Sequence, residues 1–407
     1  MADAKVVVIG AGMAGAAAAF AAVTAGAPVM VVHDRAGASA LYSGALDIEP
    51  WDAAHGAGAK PSREATAYEA LAGFLAALDL HRWSGVGREP ALIATQAGVV
   101  RKATGADRAL LDLGPLAGRR IAVAEVERDD WDAPLIARTL SASLWAERTK
   151  TTFSPVPLRL LRVGSERRIS PYDFAALHDD PARRSALAEA AKAASSGVDA
   201  WLFGPWLGLE PETIETLRAL VPLPLGETTS LMGGAAGARF ESARDRLLAA
   251  RGVELRGGRV RRVVRRGSRW VVELAPGEAT SSQASELEAR AVVLATGGVG
   301  AGGIVLTRER PQNLGGFALP FAAPVTLGLD GEALGGGGSL FGPSLETLGL
   351  GALERVGIRC DALGRPVGQN PEESGLLVAG DAVMGRPRTM LEAALAGLAT
   401  GNIAARG

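Results

Sequence analysis

The sequence contains a single cysteine, Cys360, among its 407 residues. One thiol cannot form an internal disulfide or a Cys-x-x-Cys redox pair, and an iron–sulfur cluster normally requires four cysteines. If this chain moves electrons, it must therefore use an organic cofactor. The electrons must then pass to a partner or to a diffusible acceptor.

The sequence also lacks an excess of charge of one sign. The net charge is -1, and no stretch combines dense lysine and arginine with aromatic residues. This composition argues against a nucleic-acid partner. The one basic cluster is RVRRVVRR at 259–266. Because its arginines alternate with valines, it predicts a strand with a solvated face.

A leader and a membrane-spanning run are not apparent. The chain enters its first strand at Val6, with no charged region and apolar segment before it. The apolar run 15–32 contains Gly26 and Pro28, and it divides into a helix and a strand. No membrane span is therefore predicted. We expect a cytoplasmic protein.

The first positive signal is KVVVIGAGMAG at 5–15, a β-branched strand followed by the spacing GxGxxG. The first glycine permits a tight turn, the second lets a pyrophosphate reach backbone N–H groups, and the third lets the next helix pack closely. That helix would point its N-terminus at the phosphates. The predicted dinucleotide contacts in this turn are Gly10, Gly12, Met13, Ala14 and Gly15.

The second strand, PVMVVHD, departs from the usual pattern at its end. An acid normally ends this strand and binds a ribose. The spacing places His33 at that position and Asp34 just after it. Either Asp34 substitutes for the acid or the ribose is held in another way, and an ordinary surface aspartate is the alternative.

The segment 291–303, AVVLATGGVGAGG, predicts another buried strand that ends in glycines. Its predicted cofactor contacts are Ala295, Thr296 and Gly297. A second GxGxxG occurs within it, but no helix–strand–acid pattern follows, so we do not predict a second nucleotide domain. The preceding residues 252–274 alternate like a meander of three strands.

The segment 375–381, GLLVAGD, predicts a strand that ends in Gly380 and Asp381, with a helix soon after. In this order, the segments resemble flavoproteins of the two-dinucleotide-binding-domain type. The resemblance implies that the ATGG strand returns to the FAD sheet and that the Asp381 carboxylate binds a ribityl hydroxyl. It also implies that the last helix stabilises negative charge on the reduced ring. The alternative for Asp381 is a helix N-cap.

The chain is too long for one core, and these segments lie at its beginning, middle and end. We therefore predict an α/β fold with a Rossmann-like FAD-binding domain that is discontinuous in sequence, and an inserted second α+β domain. The FAD-binding domain comprises 1–48, 235–315 and 366–407. The inserted domain, for contact with a substrate or with another subunit, comprises 49–234 and 316–365.

The stretch GASALYSGALD at 37–47 follows the second strand and consists mainly of small residues. In flavoproteins of this type the loop runs along the flavin, where small side chains let backbone amides approach the isoalloxazine ring. It contains no histidine, so a covalent histidyl–flavin link is not expected, and a plain surface turn is the alternative. The predicted contacts are Ser39, Ala40, Ser43 and Gly44.

The succession SALYSGALD, ATGGVGAGGI and AGD resembles the B-type subunit of anaerobic glycerol-3-phosphate dehydrogenase, and so does the stretch 222–255. Ala45 replaces the second serine of the family's SGSLD. The resemblance implies oxidation of glycerol 3-phosphate to dihydroxyacetone phosphate, with a catalytic subunit of the A type and an iron–sulfur, membrane-attached subunit of the C type. Family descriptions assign FMN to the B-type subunit. The pyrophosphate-binding turn favours FAD, and FMN is the alternative.

The sequence does not identify a catalytic base. The candidates for catalysis or phosphate binding are His178, Arg239, Arg308, Arg386 and Arg388. Residues 50–200 carry no motif that assigns a role. Two other functions are open: a stand-alone FAD-dependent dehydrogenase or oxidase of another small substrate, and a non-catalytic flavin subunit that relays electrons.

Overall fold

The computed structural model describes residues 6–47, 65–83, 85, 88–275, 285–307, 316–329, 332–333, 353, 355–368, 375–385 and 389–406. The chain divides into two compact units. The first comprises 1–39, 48–77 and 244–407, and the second comprises 40–47 and 78–243.

The helices, in chain order, are α1 (Met13–Thr24), α2 (Ala65–Leu78), α3 (Ala133–Ser141), α4 (Leu144–Thr149), α5 (Pro171–His178), α6 (Pro181–Ala193), α7 (Pro211–Leu220), α8 (Ala235–Ala250) and α9 (Met390–Arg406). The strands are β1 (Val6–Ile9), β2 (Val29–His33), β3 (Ala45–Leu46), β4 (His81–Trp83), β5 (Ala91–Ala94), β6 (Val100–Ala103), β7 (Gly105–Asp107), β8 (Arg120–Glu125), β9 (Thr152–Pro157), β10 (Ala200–Phe203), β11 (Leu225–Glu227), β12 (Glu254–Gly257), β13 (Val260–Arg266), β14 (Arg269–Leu274), β15 (Glu286–Ala289), β16 (Ala291–Leu294), β17 (Val305–Thr307), β18 (Gly316–Ala318), β19 (Leu327–Leu329), β20 (Glu332–Ala333), β21 (Gly357–Ile358) and β22 (Leu376–Val378).

A five-stranded parallel sheet forms the centre of the first unit, in the order β12-β2-β1-β16-β22. Val8 of β1 lies between Val31 of β2 and Val293 of β16. Numbered along the chain, this order is 3-2-1-4-5, the arrangement of a dinucleotide-binding sheet. The predicted Rossmann-like domain, assembled from distant parts of the sequence, is confirmed.

Helices α1 and α9 cover one face of this sheet, and their contact depends on small residues. A Cβ added to Gly397 would lie 2.1 Å from the carbonyl oxygen of Ala14, and one added to Gly401 would lie 2.2 Å from that of Ala18. Real Cβ atoms do not approach this closely. The alanine-rich sequence of α1 therefore serves close helix packing rather than helix formation alone.

The opposite face of the sheet packs against the antiparallel sheet β13-β14-β15. The predicted three-stranded meander is correct for β13 and β14, but its predicted first strand belongs to the main sheet instead. Residues 254–257 form β12, which pairs in parallel with β2, and β15 supplies the third antiparallel strand. The basic run is β13, as predicted, with Arg261 and Arg262 exposed and Arg261 2.8 Å from the Glu273 carboxylate.

The division into units differs from the predicted domain boundaries in four places. Residues 49–77 lie with the first unit, and residues 235–243 lie with the second. Residues 316–365 lie with the first unit, because Phe317, Leu319 and Phe321 pack against the core beneath the main sheet. Residues 40–47 lie with the second unit, because β3 pairs with β7.

The second unit contains a four-stranded parallel sheet in the order β11-β10-β8-β9. Numbered along the unit this order is 2-1-3-4 from the β9 edge, a doubly wound arrangement. Ile121 and Val123 pack with α3 on one face, whereas Ala122 and Ala124 pack with α5 to α7 on the other. The unit is therefore closer to α/β than to the predicted α+β, although small antiparallel sheets accompany it.

Within the described ranges, no helix is both long enough and apolar enough to cross a membrane. The same residues contain no group of three or more His, Cys, Asp or Glu side chains arranged to hold a metal ion.

We predict that Gly401→Ala separates α1 from α9 and lowers the free energy of unfolding by about 1–3 kcal/mol, because the new methyl group meets backbone. Gly73→Ala is the matched control. Gly73 is an exposed residue inside α2, with no atom within 4 Å of an added Cβ, so this change should be neutral or stabilise by about 0.5–1 kcal/mol. Chemical denaturation measures both variants. Equal stability of the two would contradict the packing role.

Candidate cofactor site

The turn after β1 is shaped by two glycines that meet backbone. Gly10 has a φ of +108°, and an added Cβ would lie 2.2 Å from the Ala295 carbonyl oxygen. A Cβ on Gly15 would lie 1.9 Å from the Gly10 carbonyl oxygen. These two glycines are therefore required by the fold itself.

Gly12 is different, because an added Cβ there would meet a side-chain atom rather than backbone. Its backbone is extended, with a φ of -70°, and an added Cβ would meet only the Ser39 hydroxyl oxygen, at 3.2 Å. The fold crowds this position less than Gly10 or Gly15, so it gives a weaker reason for glycine here. Close approach by a ligand gives a stronger one.

The N-terminus of α1 opens directly onto this turn. Helix geometry leaves the first-turn N–H groups without acceptors inside the helix, and they attract an anion. The Met13 N–H donates to Oγ of Ser39 at 2.9 Å. Ser39, predicted to approach the flavin ring, is thus hydrogen-bonded to the start of α1. The N–H groups of Ala14 and Gly15 follow in the first turn of this helix, and their contact with a phosphate remains a prediction.

The turn after β16 lies beside the turn after β1. The Ala295 N–H donates to the Ile9 carbonyl at 2.8 Å, and Gly297 has a φ of +79°. Oγ1 of Thr296 is buried and has no hydrogen-bond partner among the described residues. A buried hydroxyl without a partner is costly, so this group fits a ligand that supplies the missing hydrogen bond.

The turn after β22 completes the edge of the sheet. Gly380 has a φ of +67°, and its Cβ would lie 2.6 Å from Cβ of Ala14. Asp381 is half-buried in a short 3-10 turn. Helix α9 begins only at Met390, and Thr389 accepts its Glu392 N–H at 3.3 Å. Asp381 is therefore not the N-cap of α9, and its binding of a ribityl hydroxyl remains a prediction.

His33 and Asp34 lie where a ribose is expected, at the carboxyl end of β2. The His33 carbonyl accepts the Gly258 N–H at 2.9 Å. The Asp34 carboxylate is 3.3 Å from Nε of the adjacent Arg35, and both side chains are substantially exposed. Neither residue is buried in the core, so both remain available as predicted ribose ligands.

The carboxyl ends of β1, β16 and β22 together form a cradle of backbone amides, glycines and a partnerless hydroxyl. FAD fits this donor set: its pyrophosphate is an anion suited to the α1 N-terminus, and its hydroxyl groups can bond Thr296. The FAD binding domain family matches residues 5–102. The chain is an FAD-binding flavoprotein. The matched residues include β1, α1 and β2, which supply the first turn of the cradle.

Comparison with solved structures gives distant similarities. An aromatic hydroxylase of angucycline biosynthesis, CabE, is 14% identical, with a TM-score of 0.31, over 95% of this chain and 57% of that one. A flavoprotein/dehydrogenase from Cytophaga hutchinsonii is 11% identical, with a TM-score of 0.35, over 99% of this chain and 77% of that one. The flavoprotein spans 57%, 60% and 48% of the first three structures it matches. No curated protein matches its sequence.

The predicted flavin loop belongs, from Ala40 onward, to the second unit. The Ser43 carbonyl accepts the Ser230 N–H at 2.8 Å. Gly44 has a φ of +98°, and its carbonyl accepts the Asp107 N–H at 2.7 Å and the Tyr42 hydroxyl at 2.6 Å. The loop is therefore anchored at defined points, and its contact with the flavin ring remains a prediction.

Arg239, a candidate for phosphate binding, is buried and committed to other groups. Its Nε is 2.8 Å from the Asp107 carboxylate, one Nη is 2.6 Å from Glu227, and the other donates to the Gly208 carbonyl at 2.7 Å. Burial acts to lower the pKa of Arg239, but the two carboxylates raise it above its ordinary value. This arginine fixes the core of the second unit and offers no surface for a substrate phosphate.

His178, the candidate base, is also buried. Its Nδ1 lies 2.8 Å from the Trp206 carbonyl oxygen, and its ring packs edge-on against Phe174. Burial lowers the pKa of His178 to about 4, so the ring is neutral at pH 7. Its Nδ1–H then donates to the carbonyl, which is a structural role. The remaining candidates, Arg308, Arg386 and Arg388, lie outside the described residues.

The doubly wound sheet of the second unit borders a cleft of about 1080 Å³ at the carboxyl ends of β8 and β9. The turn 126–132, which leads from β8 to α3, reads VERDDWD and contains no glycine. Asp132 caps α3 by accepting the Leu135 N–H at 2.9 Å. In such a fold a nucleotide phosphate would bind at this turn. Its carboxylates oppose that binding, which favours FAD in the first unit over FMN in the second.

We predict that Gly12→Ala spares the fold and weakens FAD binding, because the methyl group occupies space that the pyrophosphate needs. Titration of the apoprotein with FAD should show at least about a tenfold loss, the scale of one impaired hydrogen bond to a charged group. Gly15→Ala, the matched control, should lower the free energy of unfolding. Unchanged FAD affinity in Gly12→Ala would show that this glycine does not face the cofactor.

Proposed function

We propose that this flavoprotein oxidises a secondary alcohol, with glycerol 3-phosphate as the best candidate substrate, and that it works as the B-type subunit of an anaerobic glycerol-3-phosphate dehydrogenase. Its partners would then be a catalytic subunit of the A type and an iron–sulfur, membrane-attached subunit of the C type. The product would be dihydroxyacetone phosphate.

The observation that carries this proposal is the meeting of three turns at one edge of the main sheet. The turns follow β1, β16 and β22, and they approach within contact distance at Gly10 and Ala295 and at Gly380 and Ala14. Two of these turns, ATGG after β16 and AGD after β22, also carry the resemblance to the glycerol-3-phosphate dehydrogenase family, together with the stretch SALYSGALD. Motif and geometry therefore support one cofactor site.

Bound FAD supplies a two-electron acceptor, which takes the hydride from the alcohol carbon while the hydroxyl proton passes to a base. The residues of this chain bind and orient that acceptor. The α1 N-terminus compensates the pyrophosphate charge, and Thr296 offers a hydroxyl for hydrogen bonding. His178 and Arg239 do not serve the substrate, because both are buried in their own hydrogen-bond networks.

The burial of His178 and Arg239 favours a second candidate function. A flavin subunit that only relays electrons needs a cofactor cradle but no base or phosphate-binding arginine. The described residues show the cradle and place two of the five substrate candidates in the core. We therefore expect the isolated chain to lack efficient turnover.

Anaerobic mixing of the purified holoprotein with glycerol 3-phosphate tests the proposal. We predict little bleaching of the flavin band by the chain alone, and rapid bleaching after a catalytic partner of the A type is added. Reduction with dithionite is the control that shows the flavin to be reducible.

Two results would contradict this prediction in different ways. Bleaching of the isolated chain on the order of 10 per second, a typical enzyme rate, would make it a self-sufficient dehydrogenase. If the flavin stays oxidised when glycerol 3-phosphate and any catalytic partner of the A type are both present, glycerol 3-phosphate is not the substrate.

A further inference from the structure

Arg244 of α8 is hydrogen-bonded to the backbone of the glycine-rich turn in the cofactor site. Its side chain is about 6% exposed, and its Nη1 donates to the Ala11 carbonyl oxygen at 2.8 Å. Ala11 lies between the first two glycines of the GxGxxG sequence. A buried guanidinium thus contacts the backbone of the turn that holds the pyrophosphate.

This hydrogen bond fixes the direction of an amide that the cofactor needs. In a trans peptide unit, the C=O and N–H groups point in opposite directions. When Arg244 holds the Ala11 carbonyl on its own side of the turn, the Gly12 N–H points to the other side. That N–H belongs to the residue whose missing side chain opens the cradle.

The charge of Arg244 matters as well as its hydrogen bond. The guanidinium group of an arginine is a cation. Nε of Arg244 lies 2.8 Å from the Asp245 carboxylate, but the Asp245 side chain is 50% exposed and solvent weakens its influence. Bringing a doubly charged pyrophosphate to the opposite side of the turn adds a favourable interaction with this buried cation.

We propose that Arg244 is a positioning residue for FAD, which orients the Ala11–Gly12 peptide and supplies buried positive charge behind the pyrophosphate. The proposal rests on the assignment of FAD to the cradle, and it adds a residue outside the glycine-rich sequence. Arg244 acts through the backbone of the turn and is not assigned a direct contact with the cofactor.

Two substitutions separate charge and hydrogen bonding from packing. Arg244→Gln removes the charge and shortens the donor, whereas Arg244→Lys retains both a charge and a donor. Arg246→Gln is the matched control, because Arg246 is exposed two residues along the same helix. Each apoprotein is titrated with FAD by quenching of flavin fluorescence, and its melting temperature is measured without FAD.

We expect Arg244→Gln to lose about tenfold to a hundredfold in FAD affinity, the scale of one charged hydrogen bond. Arg244→Lys should recover most of that loss, and Arg246→Gln should bind like the wild type. If Arg244→Gln does not fold, Arg244→Met takes its place as the variant without charge or hydrogen-bond donor. The inference then requires that Arg244→Lys bind FAD more tightly than Arg244→Met.

Three results would overturn the inference. The first is wild-type affinity in Arg244→Gln. The second is an equal loss of FAD affinity in Arg244→Lys and Arg244→Gln, with a lowered melting temperature for both apoproteins. That pattern would indicate that Arg244 contributes through packing alone. In either case the wild type still binds FAD. Failure of the wild-type apoprotein to bind FAD is the third, and it would overturn the cofactor assignment as well.

Discussion

Close approach of the backbone around the end of β1 is the constraint on which the cofactor site depends. Gly10 lies against the Ala295 carbonyl, Gly15 lies against Gly10, and Gly380 lies against Ala14. No side chain fits at any of these three positions. The close packing brings together turns that are separated by more than two-thirds of the chain, and it presents their amides along one edge of the sheet.

The second unit uses the opposite strategy, with charged side chains in its interior. Arg239 joins Asp107 and Glu227, and Asp107 also holds the Gly44 carbonyl through its backbone N–H. Breaking such a buried pair leaves an uncompensated charge and is strongly destabilising. The loop 40–47 is consequently anchored, through the Asp107 backbone, to a buried ion-pair network of its own unit.

The cofactor domain could be predicted because its signals are local. A short apolar run that ends in glycine predicts both a buried strand and the turn after it, and this reasoning holds for β1, β16 and β22. The parallel sheet of the second unit has weaker signals. The sequence of β9, TFSPVP, contains two prolines, which normally exclude an interior strand; β9 tolerates them because it lies at the sheet edge. Arg239 pairs with Asp107, 132 residues away in sequence, and Arg244 binds the Ala11 carbonyl, 233 residues away, so spacing could not reveal these two contacts.

The central claim is that the first unit holds FAD through its pyrophosphate. Acid denaturation of the purified protein, followed by chromatography of the released flavin, tests this claim most directly. The account predicts FAD in an amount equal to that of the protein. Release of FMN, whose single phosphate would leave the turn between β1 and α1 without its ligand, would contradict it, and so would a colourless supernatant from protein refolded in the presence of FAD.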